Sequence, residues 1–224
     1  MIVLHHLNNS RSQRILWLLE ELGVEYELKA YQRDAKTNLA PAQLKLIHPL
    51  GRSPVLVDGN NTIPESGAII EYLLNNYTAP DGSLLSQALD PQDKQEQSFW
   101  LHFAEGSFMP PMVTKMVLEK GREKAAPFFV KYIVDKFVDA VMQAYFGPNI
   151  KANLEFVERH LQQREWFVGD KLTGADVQMS FPLEAIVAKQ GPDAFPAIAA
   201  FVNRVHQREA YKSALVKGGK YDYA

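Results

Sequence analysis

The chain of 224 residues has no cysteine. This excludes a disulfide frame, a thiolate metal site and a protein thiol nucleophile. Any thiol chemistry must therefore be done on a thiol that the protein binds. A charge excess is also missing: 24 Lys and Arg stand against 26 Asp and Glu. That balance gives no electrostatic reason to expect nucleic acid or an anionic membrane as partner. No apolar run reaches membrane-spanning length, and the start, Met1-Ile2-Val3-Leu4-His5-His6, has no signal-peptide pattern. The expectation is a soluble cytoplasmic protein. His-Glu-x-x-His, P-loop, Gly-x-Gly-x-x-Gly and Gly-x-Ser-x-Gly patterns are all absent, so metalloenzyme, nucleotide-dependent and serine-hydrolase readings lose their usual support. His5 and His6 are strand neighbours and should point to opposite faces, which argues against joint metal binding.

What is present reads as two domains, since the length exceeds one small core. Ile2 to Leu7 is a strand, and a turn leads to a helix from Arg11 to Leu22, stopped by Gly23. Val24 to Tyr31 alternates as a half-buried strand. Thr37 to Ile47 is a short helix candidate. Ser53 to Asp58 and Thr62 to Pro64 form a hairpin, followed by an amphipathic helix from Ser66 to Tyr77. Strand, helix, strand, helix, hairpin, helix makes a thioredoxin-like α/β domain over residues 1–78. Residues 79–91 read as a linker.

Residues 92–224 carry no further strand signal and form an all-α domain. Asp93 to Phe108 is helical, with an interruption or kink at Met109-Pro110-Pro111. Phe129, Tyr132, Ile133, Phe137 and Val141 keep helical period, and so do Ile150, Leu154, Val157 and Leu161, with Gly147-Pro148 between the two helices. Thr173-Gly174-Ala175-Asp176 opens a helix with a capping-box pattern, assigned to folding. Pro196 to Arg208 is read as the last helix. Leu73, Leu74, Trp100 and Phe103 could serve either core or subunit interface, and the 117–146 segment could cover a pocket or enlarge an interface.

Three short motifs carry the chemistry. In the first, Ser10-Arg11-Ser12-Gln13-Arg14, Ser10 sits where a strand turns into a helix. Its hydroxyl can donate to an anion at the helix's positive end, or it can close a capping box with Gln13. A thiol bound there would ionise more readily. Lowering a free thiol's pKa of about 8.5 by about 2 units takes about 3 kcal/mol. The second is Gly51-Arg52-Ser53-Pro54, a strand opened by proline. X-Pro bonds are mostly trans, but a cis bond would free the Ser53 main chain. The third is Pro64-Glu65-Ser66-Gly67. Ser66 can cap the next helix or join its N–H groups in receiving a ligand carboxylate, while Glu65 can take an ammonium.

In order and spacing these motifs resemble the glutathione S-transferase family, and more narrowly its bacterial and fungal serine-type members. The resemblance extends through Trp166 to Gly169 and the Thr173–Asp176 box, so it spans nearly the whole chain. It implies a glutathione transferase with Ser10 as the catalytic residue, since in such enzymes the serine lies four residues before an arginine and an aliphatic run, here Arg14, Ile15 and Leu16. Ser12 is the second choice. It implies a cis Ser53–Pro54 bond, with Ser53, Glu65 and Ser66 holding the tripeptide. For the glycyl carboxylate Arg52 is favoured over Lys45, Lys36 and Asn38, because it lies next to the bound peptide's expected path; the family's His-Lys pair before the second helix is missing here. Phe103, Phe108, Met109 and Met112, with Met116, are candidates for an electrophile pocket.

The implied chemistry is conjugation of glutathione, a co-substrate, to small hydrophobic electrophiles, in detoxification, with no metal and no tightly bound cofactor. Glutathione-dependent hydroperoxide reduction and a non-catalytic binding scaffold are the alternatives. Without cysteine, the family's routes that need a protein thiol are closed. The family pattern also implies a homodimer.

Overall fold

The computed structural model describes residues 1–81 and 89–224. Seven residues of the expected 79–91 linker, 82–88, lie outside the described residues.

The first part is a four-stranded sheet, β1 (Ile2–Leu7), β2 (Tyr26–Tyr31), β3 (Val55–Asp58) and β4 (Asn61–Pro64), in the order β2-β1-β3-β4. β1 runs parallel to β2, and the other pairs are antiparallel. This is the expected thioredoxin-like arrangement. The β1–β2 crossover runs through α1 (Ser12–Leu22), whose Ile15, Leu16, Leu18 and Leu19 are fully buried. Gly23 ends it in the left-handed region, with φ of 62°, where a side chain would be strained. α2 (Ser66–Asn76) returns from the hairpin and buries Ile69, Ile70, Leu73 and Leu74. Both leucines, like Trp100, belong to the core and leave nothing for a subunit interface.

The helix expected over Thr37–Ile47 is only a 3-10 turn at Ala42–Leu46. Asp34 explains the shortening. Its carboxylate accepts from the Lys36 and Thr37 N–H groups and turns the chain early, and Pro41 then holds it extended.

Helices are the regular structure of the second part among its described residues. α3 (Pro91–Phe103) is capped by Asp90, which accepts from Asp93 N–H at 2.9 Å. No break follows it. The chain widens into a π turn over Ala104–Phe108 and continues as α4 (Met109–Lys124). Pro110 and Pro111 fall in the first turn of α4, where a missing N–H matters least. The Ser107 carbonyl, four residues before Pro111, instead accepts from Asn153 Nδ2 at 2.9 Å. α5 (Phe128–Val141) likewise passes through a π turn, Met142–Phe146, into α6 (Gly147–Leu161). Gly147-Pro148 therefore marks a widened turn and not the gap expected from sequence.

α7 (Gly174–Gln190) is almost wholly buried and starts at the Thr173–Asp176 box. The Asp176 carboxylate accepts from Phe167 N–H at 2.8 Å and from Thr173 N–H at 2.7 Å. α8 (Pro196–His206) is followed by a helix the sequence reading omitted, α9 (Glu209–Gly218). Its apolar face is short, with only Tyr211 and Ala214 buried, so its period is weak. It packs along α1. Among the described residues, no helix is long and apolar enough to cross a membrane.

Candidate active site

The start of α1, the β3 entrance and the start of α2 meet the α3–α4 turn at one cleft. On its polar side Arg52, Ser53, Pro54, Glu65 and Ser66 line a cavity of about 290 Å³, together with Arg11, His48 and Glu105. Five residues named from sequence thus share one wall. The Ser53–Pro54 bond is cis. The Ser53 hydroxyl donates to the His5 carbonyl at 2.9 Å, so its own donor is spent on β1. Glu65 holds a φ of 69°, a conformation that non-glycine residues seldom adopt and that collects at ligand sites.

Ser66 does not cap α2. It is the first helical residue, Glu65 occupies the cap position without a side-chain bond, and the Ser66 hydroxyl accepts from Arg14. With no side chain capping them, the first N–H groups of α2 remain a ready receptor for an anion.

Arg14 is the hub of this wall. Its guanidinium is fully buried and donates to Ser66, to Glu105 and to the Gln178 carbonyl. That carbonyl is open because Pro182, four residues on, has no N–H to give it. Glu105, from the π turn, also takes a fork from Arg11 Nε at 3.0 and 2.8 Å. Burial pushes the Glu105 carboxyl up, but the two arginines outweigh it and hold it below the usual carboxylate range. Two carboxylates, Glu65 and Glu105, and the open end of α2 therefore frame one end of the polar cavity.

The other side of the cleft is more apolar, although Arg33, Asn38, Lys120, Lys189 and Asp222 also border it. Ser10, Met109, Met112, Val113, Met116 and Phe181 line a cavity of about 300 Å³, which Arg11 shares with the polar one. The C-terminal tail closes this side. Asp222 and Asn9 exchange two hydrogen bonds, at 2.7 and 2.9 Å. Tyr221 donates to buried Glu184, and the Tyr223 ring meets Phe181 edge-on at 5.8 Å.

Phe103 and Phe108 do not stand on this wall. They pack on each other at 5.8 Å, in a cluster with Trp100 and Phe156. Of the four pocket candidates, the structure brings only Met109 and Met112 to Ser10. Of the alternatives for a terminal carboxylate, Asn38 lies by the apolar cavity, while Lys45 packs against Gly51. Lys36 is exposed on its turn.

Ser10 does not form a capping box with Gln13. Its hydroxyl lies 2.8 Å from the Leu7 carbonyl and 2.8 Å from Ser12 Oγ, and α1 begins without a side-chain cap. Arg11, His48, Glu105 and Tyr223 were not read as site residues from sequence. His48 had a faint signal as a ring beside Arg52, whereas Glu105 and Tyr223 arrive only through tertiary folding.

Comparison with known proteins matches both parts of the chain to one family. The model of the glutathione S-transferase N-terminal domain matches residues 1–75, and that of the C-terminal domain matches residues 122–209. Glutathione S-transferase 1 of Saccharomyces cerevisiae is 35% identical, over 97% of this chain and 95% of its own. Glutathione S-transferase 3 of Schizosaccharomyces pombe is 42% identical, over 83% of this chain and 74% of its own. A solved glutathione S-transferase from Actinobacillus pleuropneumoniae superposes with a TM-score of 0.76 at 31% identity, covering 100% of this chain and 95% of its own.

Proposed function

The chain belongs to the glutathione S-transferase family, and we propose that Ser10 stabilises the thiolate of glutathione for attack on small hydrophobic electrophiles. The observation that carries this reading is a pair of neighbouring cavities that share Arg11: a polar one whose walls suit a zwitterionic peptide, and a second one where Ser10 stands with Met109, Met112, Met116 and Phe181 among polar residues.

The γ-glutamyl end suits the α2 side. Its carboxylate would meet the first N–H groups of α2 and Ser66, and its ammonium would meet Glu65, with Glu105 next to it. The cysteinyl part would pair with the Ser53 main chain beside Pro54. The glycyl carboxylate would reach Arg52, with His48 on the same wall. These placements leave the sulfur facing the apolar cavity, where Ser10 donates to it near the positive end of α1. The thiolate then attacks carbon of an electrophile held by Met109, Met112 and Phe181, and thioether sulfurs adapt to varied shapes. Residues 1–78 would bind glutathione, residues 79–91 would link, and residues 92–224 would choose the electrophile. The enzyme would act in the cytoplasm as a homodimer.

Ser10→Ala tests this directly. The rate of conjugation to an activated chloroarene should fall about 10²-fold, the usual loss on removing one donor from a developing or stabilised anion. A variant that keeps the wild-type rate would overturn the role of Ser10.

A further inference from the structure

His6 is 2% exposed on β1 and takes no part in the cleft described above. Its Nδ1 lies 2.9 Å from the hydroxyl oxygen of Ser12, which is itself fully buried in the first turn of α1. Ser12 Oγ lies 2.8 Å from Ser10 Oγ, and Ser10 reaches the apolar cavity. An unbroken line of hydrogen bonds thus runs from the cleft to a buried imidazole. We propose that Ser10, Ser12 and His6 form a relay that takes the proton of the glutathione thiol into the protein, with His6 as its terminal base. The proposal rests on the reading of Ser10 above and extends it.

The contacts can be satisfied in one sense along the line. Each hydroxyl has one proton. Ser12 Oγ accepts from Leu7 N–H at 3.1 Å, which fixes the oxygen between its two side-chain neighbours. When Ser12 donates to His6 Nδ1, its oxygen is left to accept from Ser10 as well. The Leu7 carbonyl, 2.8 Å from Ser10 and 3.1 Å from Ser12, offers each hydroxyl a resting alternative.

Burial pushes the His6 pKa down, while main-chain groups of Gly218 and Ser12 act the other way. Burial thus favours the neutral ring, and the relay uses the tautomer with its proton on Nε2 and its lone pair on Nδ1. Gly218, on α9, comes this close because it has no side chain. A Cβ there would lie 2.7 Å from Gln13 Oε1 and 3.0 Å from Leu16 Cδ2. Charged side chains on the surrounding elements are engaged elsewhere: Arg14 of α1 with Glu105, and Lys217 of α9 with Glu20. On β1, His5 bonds Tyr31 at 2.9 Å.

The transfer balances. The S–H bond breaks as Ser10 Oγ takes the thiol proton, the proton of Ser10 passes to Ser12 Oγ, and that of Ser12 passes to His6 Nδ1. A neutral thiol and a neutral imidazole become a thiolate and an imidazolium, with both hydroxyls restored. Ser10 then donates to the thiolate it has made. On addition to an electrophile the proton returns along the same line to the adduct carbanion. Where a group is displaced, the proton leaves with that anion.

Two measurements test the relay. In the wild type, the ring-nitrogen resonances of His6 should change from neutral to imidazolium when glutathione is added at neutral pH. A ring that stays neutral while ultraviolet absorbance shows bound thiolate overturns the proposal, whatever the variants do. Second, the bound thiol is titrated in Ser10→Ala, Ser12→Ala, His6→Gln and the Ser12→Ala/His6→Gln pair. The relay predicts that Ser12→Ala and His6→Gln each raise the thiol pKa, cutting the thiolate-to-thiol ratio about tenfold, and that the pair is no worse than either alone. If only Ser10→Ala raises it, the relay falls and the Ser10 reading stands. If Ser10→Ala leaves it unchanged too, both fall.

Discussion

The helical part contains two regions built from the same kind of sequence and packed in opposite ways. In the base, Trp100, Phe167, Val177 and Phe201 are almost fully buried. Trp100 meets Phe103, Phe156, His160 and Phe167 with ring centroids 4.6 to 5.4 Å apart. In the outer hairpin, α5 repeats apolar residues just as regularly, yet Phe129, Ile133 and Phe137 are 56%, 65% and 61% exposed. The side of α5 that faces α4 is tied partly by charge, Arg122 to Asp135 and Asp139, and Val138 is its one buried residue among those described. Periodicity thus states that a helix has an apolar face. It does not state whether the same chain covers it. Contiguous apolar patches on a surface usually mark an interaction site, and the proposed homodimer is the cover we assign to this one.

The largest effect should come from the base. Trp100→Ala removes the centre of the ring cluster and should cost about 3–5 kcal/mol, read as a lower midpoint in urea. Phe137→Ala, equally aromatic but outward, should change the unfolding of the isolated protomer by less than about 0.5 kcal/mol. Equal losses at the two positions would break the comparison.

Next in size is the ion cluster that joins the base to α1. Glu105→Gln leaves Arg14 buried without its counter-charge, and removing one partner of such a pair costs about 3–5 kcal/mol, with less expected here because Glu105 is partly exposed. The folded protein holds the Glu105 carboxyl below its ordinary value of 4.5, so folding favours the ionised form. The stabilisation is complete above the unfolded value and is lost as pH falls through the lower, folded one. In urea titrations from about pH 6 to about pH 3, the gap between wild type and Glu105→Gln should therefore narrow. A gap that is constant with pH would remove the electrostatic explanation.

Features set by near neighbours were legible in the sequence. The succession of strands and helices in the first domain, Gly23 as a helix stop, the Asp176 box and the wall from Arg52 to Ser66 are set by local chemistry, so short motifs disclosed them. Features that depend on distant partners were not. Glu105 reaches Arg14 across 91 positions, and Tyr221 reaches Glu184 across 37. The first π turn was hidden because Pro110 and Pro111 look like a helix break until Asn153 takes up the Ser107 carbonyl. Phe103 and Phe108, expected at the pocket, instead pack on each other in the ring cluster. His6 was set aside because strand alternation separates it from His5. The same alternation is what turns it toward Ser12.

The smallest effect on the protomer should come from the outer hairpin, and it sharpens the comparison most. Ile133 is the middle of the Phe129–Ile133–Phe137 row on α5, one helical turn from each neighbour. Placing a carboxylate there costs little while the position faces water, so Ile133→Asp should leave protomer unfolding at high dilution within about 0.5 kcal/mol of wild type. In a two-fold contact the change appears twice, and burying an unpaired charge in an apolar interface is strongly unfavourable. Sedimentation should therefore show a dimer for the wild type and a protomer for Ile133→Asp at the same concentration. A variant that stays dimeric would move the interface away from α5 and leave its apolar face as plain exposed surface.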